Sequence, residues 1–221
     1  MRSRNPIIQV RKKKTGKTAK RTSSGRRRAR VRRSTSETSI TVDLDLDGKG
    51  TYSVDTGIPF LDHMLETLSR HSLIGLAIKA RGDTEIDDHH TVEDVGLAIG
   101  QGISRALGDK RGINRFGHAE VPLDEALVSA TVDLSGRSFL VYNLKLRHHR
   151  VGEFETELVN DFMQALMNEA AMNLHINKLY GRNPHHIIEA AFKAVARALG
   201  TAVSRDPRVK NVPSTKGSLA G

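Results

Sequence analysis

The stretch that constrains this chain most is one that it contains twice. His89-His90-Thr91-Val92-Glu93 returns as His185-His186-Ile187-Ile188-Glu189, and each copy opens a segment whose apolar residues recur at helical spacing. On a helix turning by about 100° per residue, the first histidine and the glutamate four positions later stand nearly one above the other, with the second histidine beside them. Each copy therefore carries two imidazoles and a carboxylate on one polar flank, a donor set suited to a divalent metal ion. Neighbouring histidines point about 100° apart and cannot readily grip one ion together. Two such pairs suggest two metals.

What surrounds the two copies repeats as well. Ile40, Val42, Leu44 and Leu46 alternate with Thr41, Asp43 and Asp45, and Asp47-Gly48 turns the chain into Thr51 to Val54, which reads as a hairpin. Pro59 starts a helix striped by Phe60, Leu61, Met64, Leu65 and Leu68, with His63, Thr67, Arg70 and His71 off the stripe. A strand over 73–80 ends at Gly82-Asp83, and the first paired-histidine helix follows, with Asp87 or Asp88 as its cap. In the second half, residues 127–134 alternate, Ser135-Gly136-Arg137 turns, and 138–146 returns. A helix over 155–170 and a strand over 172–179 then lead through Gly181, Asn183 and Pro184 into the second paired-histidine helix.

Both halves thus read hairpin, helix, strand, helix. The fold class expected is α+β, an internally duplicated unit of about 85 residues. Its divisions are a basic, disordered tail over 1–33, a first half over 34–114, and a second half over 115–221 that ends in a polar C-terminal segment. The duplication lets the halves be compared position by position. His63 lies 26 residues before His89, and Asp161 lies 24 before His185, so the first helix of each half is expected to offer one further ligand. His148-His149 falls in a loop with no glutamate partner and reads as surface, and His175 falls on a strand, where a buried or ligand-supporting ring is expected.

Composition narrows the chemistry. Cysteine is absent from the 221 residues, which excludes disulfides and thiolate metal sites and leaves histidine and carboxylate as ligands. This fits a reducing cytoplasm. No apolar run is long enough for a membrane span. The net charge of +10 is misleading as an average, because residues 1–33 hold 15 Lys and Arg and no acid, while the other 20 basic residues face all 25 acids. Phosphate contacts with nucleic acid would suit such a tail, but base recognition needs more than charge, and a solvated extension is the simpler reading. Arg115, Arg137, Lys193 and the polar Ser214-Thr215-Lys216-Gly217 supply the positive groups that an anionic phosphate substrate beside a metal site needs.

Seven motifs then carry a resemblance. Phe60-Leu61-Asp62-His63-Met64-Leu65, Asp87-Asp88-His89-His90-Thr91-Val92-Glu93-Asp94, Gly112-Ile113-Asn114-Arg115-Phe116-Gly117 and Asp133-Leu134-Ser135-Gly136-Arg137 resemble the imidazoleglycerol-phosphate dehydratases. So do Leu174-His175-Ile176, Asn183-Pro184-His185-His186-Ile187-Ile188-Glu189-Ala190 and Pro213-Ser214-Thr215-Lys216-Gly217, so the likeness runs from about Arg30 to the C-terminus. It implies a histidine-biosynthesis lyase that removes water from imidazole glycerol phosphate. It further implies halves that are each a four-stranded sheet with two helices, and a 24-subunit homo-oligomer with two Mn2+ ions per site between neighbours.

Carried over by position, the implied metal ligands are His63, His89, His90, Glu93, His185, His186 and Glu189. The implied substrate contacts are Glu37, His63, His71, His89, Glu93, Arg115, Arg137, Lys193, Ser214 and Lys216, the phosphate held by Arg115, Arg137, Lys193, Ser214 and Lys216, with Glu37 as the general base. Two positions depart from the pattern. Asp161 stands where some members carry a histidine ligand, and Thr67 stands where a glutamine is frequent, which removes one substrate hydrogen bond. The competing classes are a non-catalytic metal-binding protein with a DNA-binding arm and a metal-dependent hydrolase of a phosphorylated substrate. The first leaves the phosphate-type residues idle, and the second would release inorganic phosphate.

Overall fold

The computed structural model describes residues 25–219, so the tail over 1–24 lies outside the described residues. In chain order the strands are β1 (Arg28–Ser34), β2 (Thr38–Asp45), β3 (Tyr52–Asp55), β4 (Gly75–Gly82), β5 (Phe116–Leu123), β6 (Ala126–Asp133), β7 (Phe139–Asn143), β8 (Arg150–Val151), β9 (Phe154–Glu155) and β10 (Asn173–Tyr180). The helices are α1 (Pro59–Ser72), α2 (His89–Leu107), α3 (Leu158–Ala170) and α4 (Pro184–Val203). Two four-stranded sheets form, in the orders β1-β2-β4-β3 and β5-β6-β10-β7, with β8 and β9 as a separate two-stranded ribbon. The duplication expected from the sequence is therefore present in the topology, down to a parallel fourth strand in each sheet.

The helices lie between the sheets. α2 packs on β1, β2 and β4, α4 packs on β5 and β6, and the helix layers meet as α2 on α3 and α1 on α4. α2 and α4 are thus covered on two faces, which is why both are apolar well beyond a single stripe. Phe162 of α3 and Phe192 of α4, both fully buried, stack with ring centroids 5.4 Å apart at the centre. With their bodies enclosed, α2 and α4 leave their N-terminal turns as the place where polar side chains emerge, and both turns begin with the paired histidines.

The close approach of α2 to α3 depends on glycine. A Cβ on Gly96 would meet the Phe162 carbonyl oxygen at 2.8 Å, and one on Gly100 would meet that of Leu166 at 2.6 Å. The helix starts are also specified locally. Asp88 is the N-cap residue of α2 but makes no side-chain cap bond; Asp87 Oδ1, one position earlier, accepts from the His89 backbone N–H at 2.8 Å. Pro184 opens α4, and Asn183 Oδ1 accepts from the His185 N–H at 3.0 Å.

Three expectations need correction. The expected hairpins 39–54 and 127–146 do not form, because β4 lies between β2 and β3, and β10 lies between β6 and β7. The hairpins are instead β1–β2 and β5–β6, each one strand upstream of where alternation was clearest. The boundary placed at residue 33 also falls inside β1. That strand is basic but not formless: Val31 points into the core, while Arg28 and Arg30 point outward opposite Asp45 and Asp43 in register and pair with them at 2.8 and 2.9 Å. α3 begins at Leu158 rather than 155, because Phe154 and Glu155 pair with Val151 and Arg150 instead.

Candidate active site

Four side chains meet where α1 crosses α4. His63 Nε2 of α1 lies 3.3 Å from Glu189 Oε2, His185 Nε2 lies 3.1 Å from the same oxygen, and Lys193 Nζ donates to Glu189 Oε1 at 2.8 Å. One ligand atom from each of His63, His185 and Glu189 falls within 4.8 Å of the other two, the geometry of a mixed imidazole and carboxylate metal site. Burial would raise the Glu189 carboxyl, but hydrogen bonds from Lys193, His63 and His185 outweigh it and hold the group at about 2, ionised at any physiological pH. His71, about two helix turns beyond His63, is shifted down by burial first and by the Lys193 and Arg197 charges next.

The crossing of α2 and α3 repeats the arrangement more loosely. His89 of α2 lies 3.6 Å from Asp161 of α3 through Nδ1 and 4.0 Å from Glu93 through Nε2. Asp161 therefore occupies, against α2, the place that His63 occupies against α4. Each first-helix residue thus meets the paired-histidine helix of the other half: His63 of the first half faces α4, and Asp161 of the second half faces α2.

The second histidine of each pair stands apart from these groups. His90 Nδ1 donates to Asp83 at 3.0 Å, and His186 Nδ1 donates to Glu125 at 2.7 Å. The bond to Asp83 raises His90, with a smaller contribution from the nearby Glu37 charge. The bond from His186 and the Asn183 backbone N–H hold Glu125 at about 2. Glu37 itself is exposed in the β1–β2 turn.

A third cluster lies at the other end of the second half. Arg115, Ser135, Arg137, Ser214 and Lys216 line an open cavity of about 740 Å³. Arg115 is fixed before anything binds: its guanidinium donates to Asp133 at 2.7 and 3.1 Å and to the Pro213 carbonyl at 2.9 Å, from a backbone with φ of 72°. A non-glycine residue held in that left-handed region is a strained, over-determined position of the kind found at ligand clamps. Lys193, expected here, is not part of this cavity and sits beside Glu189 instead. Thr67 is buried within α1. His175 is exposed beside Phe139 on the outer sheet face, not buried as expected, because it alternates with the core residues Leu174 and Ile176. His148 and His149 are exposed, as expected.

Spacing did not single out Asp83, Glu125 or Asp133. Asp83 and Glu125 carry no sequence signal beyond an acid next to Gly82 and an acid in the Asp124-Glu125 turn, whereas Asp133 opens one of the resemblance motifs.

Comparison with known proteins follows the same lines. The family model for imidazoleglycerol-phosphate dehydratase matches residues 56–199. The imidazoleglycerol-phosphate dehydratase of Ruegeria sp. is 58% identical over 194 residues, covering 87% of this chain and all of that protein. That of Paracoccus denitrificans is 56% identical with the same coverage. Among solved structures, the Staphylococcus aureus imidazoleglycerol-phosphate dehydratase superposes with a TM-score of 0.74 at 38% identity, over 80% of this chain and 98% of that one. The Pyrococcus furiosus structure gives the same TM-score at 33% identity, over 85% and 99%.

Proposed function

This chain belongs to the imidazoleglycerol-phosphate dehydratase family, and we propose that it works through two divalent metal ions held between neighbouring subunits. Family membership makes it a hydro-lyase of histidine biosynthesis, taking water from imidazole glycerol phosphate to give imidazole acetol phosphate. That decides against the storage and hydrolase alternatives. The metal reading rests chiefly on His63, His185 and Glu189, whose converging donors fit a metal ion. His89, Glu93 and Asp161 make the second cluster. Imidazole and carboxylate donors without thiolate suit Mn2+.

Sharing between subunits is supported by what one chain leaves undone. His90 and His186 belong to neither cluster within the chain; among the described residues His90 Nε2 has no hydrogen-bond partner and His186 Nε2 faces only Asp124 at 3.7 Å, which leaves each able to complete a neighbour's site. Phe116 and Phe139 stand exposed on the outer face of the second sheet, apolar surface of the kind a neighbouring subunit covers. The assembly in this reading is a 24-mer, and its setting is the cytoplasm. Among the described residues, no helix is long and apolar enough to cross a membrane.

Bound there, the ions would supply Lewis acidity that favours the deprotonated, electron-donating form of the substrate's imidazole ring. The chain's own groups do the rest. Arg115, Arg137, Ser214 and Lys216 hold the phosphate, so that binding energy far from the reacting carbons fixes their orientation. Lys193, which donates to Glu189, and His71, whose ring feels the Lys193 charge, would meet the substrate from the α1–α4 side. As hydroxide leaves the carbon beside the ring, Glu37, exposed and near His90, takes the proton from the neighbouring carbinol carbon, and the released pair forms the C=C of an enol that becomes the ketone.

Stripping the protein with a chelator and following imidazole acetol phosphate in a coupled assay tests this. Turnover should vanish on stripping and return with Mn2+, with no release of inorganic phosphate. Full turnover by the stripped protein would contradict the metal reading.

A further inference from the structure

Asp83 and Glu125 have no part in the scheme above, yet each holds the second histidine of a pair. His90 Nδ1 lies 3.0 Å from Asp83 Oδ2, and His186 Nδ1 lies 2.7 Å from Glu125 Oε2. An ionised carboxylate can only accept, so each Nδ1 carries the ring proton, and in the neutral ring Nε2 keeps its lone pair for another partner; His186 Nε2 faces Asp124 at 3.7 Å, beyond hydrogen-bond distance. An acid placed this way fixes the orientation of a metal-binding imidazole and raises its basicity.

The two acids do not occupy equivalent places in the duplication. The correspondence is fixed by two glycines. A Cβ on Gly82 would run into Thr91 Oγ1 and meet Thr38 Cγ2 at 3.3 Å, while one on Gly181 would meet Ala126 Cβ at 2.8 Å and Ile187 Cγ1 at 3.0 Å. Thr91 and Ile187 each follow a histidine pair, and Thr38 and Ala126 each open the second strand of a sheet. Gly82 therefore corresponds to Gly181, Asp83 to Arg182, and Glu37 to Glu125. In the second half the turn acid, Glu125, holds the histidine and also accepts from the Arg182 and Asn183 backbone N–H groups at 3.2 and 2.8 Å. In the first half the acid after the glycine, Asp83, holds the histidine instead. The first half's turn acid, Glu37, is left exposed, with no side-chain hydrogen bond among the described residues.

We propose that Asp83 and Glu125 are positioning residues that turn Nε2 of His90 and His186 toward the metal ions, and that moving this role from the turn to the position after Gly82 is what leaves Glu37 free to serve as the base. The inference rests on the two-metal reading and deepens it. One ancestral position thus has two descendants, a clamp in one half and a reacting group in the other.

The test is Mn2+ affinity of the chelator-stripped full chain, read from the electron paramagnetic resonance signal of free Mn2+. Asp83→Asn and Glu125→Gln keep side-chain size and a hydrogen-bond acceptor but lose the charge. Each should raise the Kd for Mn2+ about 10- to 100-fold, and Asp83→Glu should recover much of the loss. Glu37→Gln should lose turnover while its Kd stays close to that of the unmutated chain. Thermal unfolding of each stripped variant runs alongside. If Asp83→Asn does not fold, the contrast between Glu125→Gln and Glu37→Gln still decides. Unchanged Kd in the clamp variants overturns the proposal. Equal weakening by Glu37→Gln overturns the division of labour. A stripped, unmutated chain that takes up no Mn2+ is a different result, since it removes the two-metal reading on which the proposal stands.

Discussion

Asp161 faces His89 across the α2–α3 contact at 3.6 Å, in the place that His63 holds across the α1–α4 contact. A carboxylate there can serve Mn2+ as an imidazole would, because manganese accepts hard oxygen donors readily. If the centre holds the two ions proposed, Asp161→Ala should cost it one of them, read by elemental analysis of the purified protein, with turnover falling by about 10²-fold or more. Full metal content in that variant would remove Asp161 from the coordination set. Much of this site was legible in the sequence, because paired histidines with a glutamate four residues later impose their own geometry on a helix. What was not legible comes from elsewhere in the chain. Asp83 reaches His90 from the end of β4, Glu125 reaches His186 from the β5–β6 turn, and Asp133 locks Arg115 from β6, contacts that only the folded sheets create. Lys193 reads as a phosphate contact from its charge alone, but the fold pairs it with Glu189 one turn away.

At the scale of elements, α2 and α3 must approach closely enough for His89 and Asp161 to share a contact, and Gly96 and Gly100 permit it. Gly100→Ala would bring a methyl group to 2.6 Å from the Leu166 carbonyl oxygen and 2.7 Å from Glu169 Cβ. Such overpacking should cost about 1–3 kcal/mol, read as a lower denaturation midpoint, and should weaken Mn2+ binding as the helices part. A variant as stable as the unmutated chain would show that the helices have slack. The helices were legible because each carries an apolar stripe, a proline or capping side chain at its start, and a polar first turn. The strand pairing was not. Alternation marks a strand without naming its neighbour, and β2 followed by β3 reads as a hairpin until β4 is seen between them. β1 escaped because its outward arginines dominate its composition, although Asp43 and Asp45 opposite them neutralise the edge that they form.

At the scale of the whole molecule, two clusters and two outlying histidines per chain make sense when each centre takes donors from two subunits. Metal binding and assembly are then one equilibrium, since an ion that bridges two chains stabilises their contact. Chelation should break the assembly into smaller oligomers, read by light scattering behind size exclusion, and Mn2+ should restore it. A stripped protein that sizes as the full assembly would separate closure from metal.

Subunit mixing tests the shared centre most directly. His186→Ala and His63→Ala chains, each inactive alone, are stripped, mixed in equal amounts and reassembled with Mn2+. If a centre takes His186 from one subunit and His63 from its neighbour, some mixed centres lack neither group. Random assembly should then restore about a quarter of the unmutated activity. If both histidines served the same centre from within one chain, no mixed centre would be whole, and the mixture would stay as inactive as its parts.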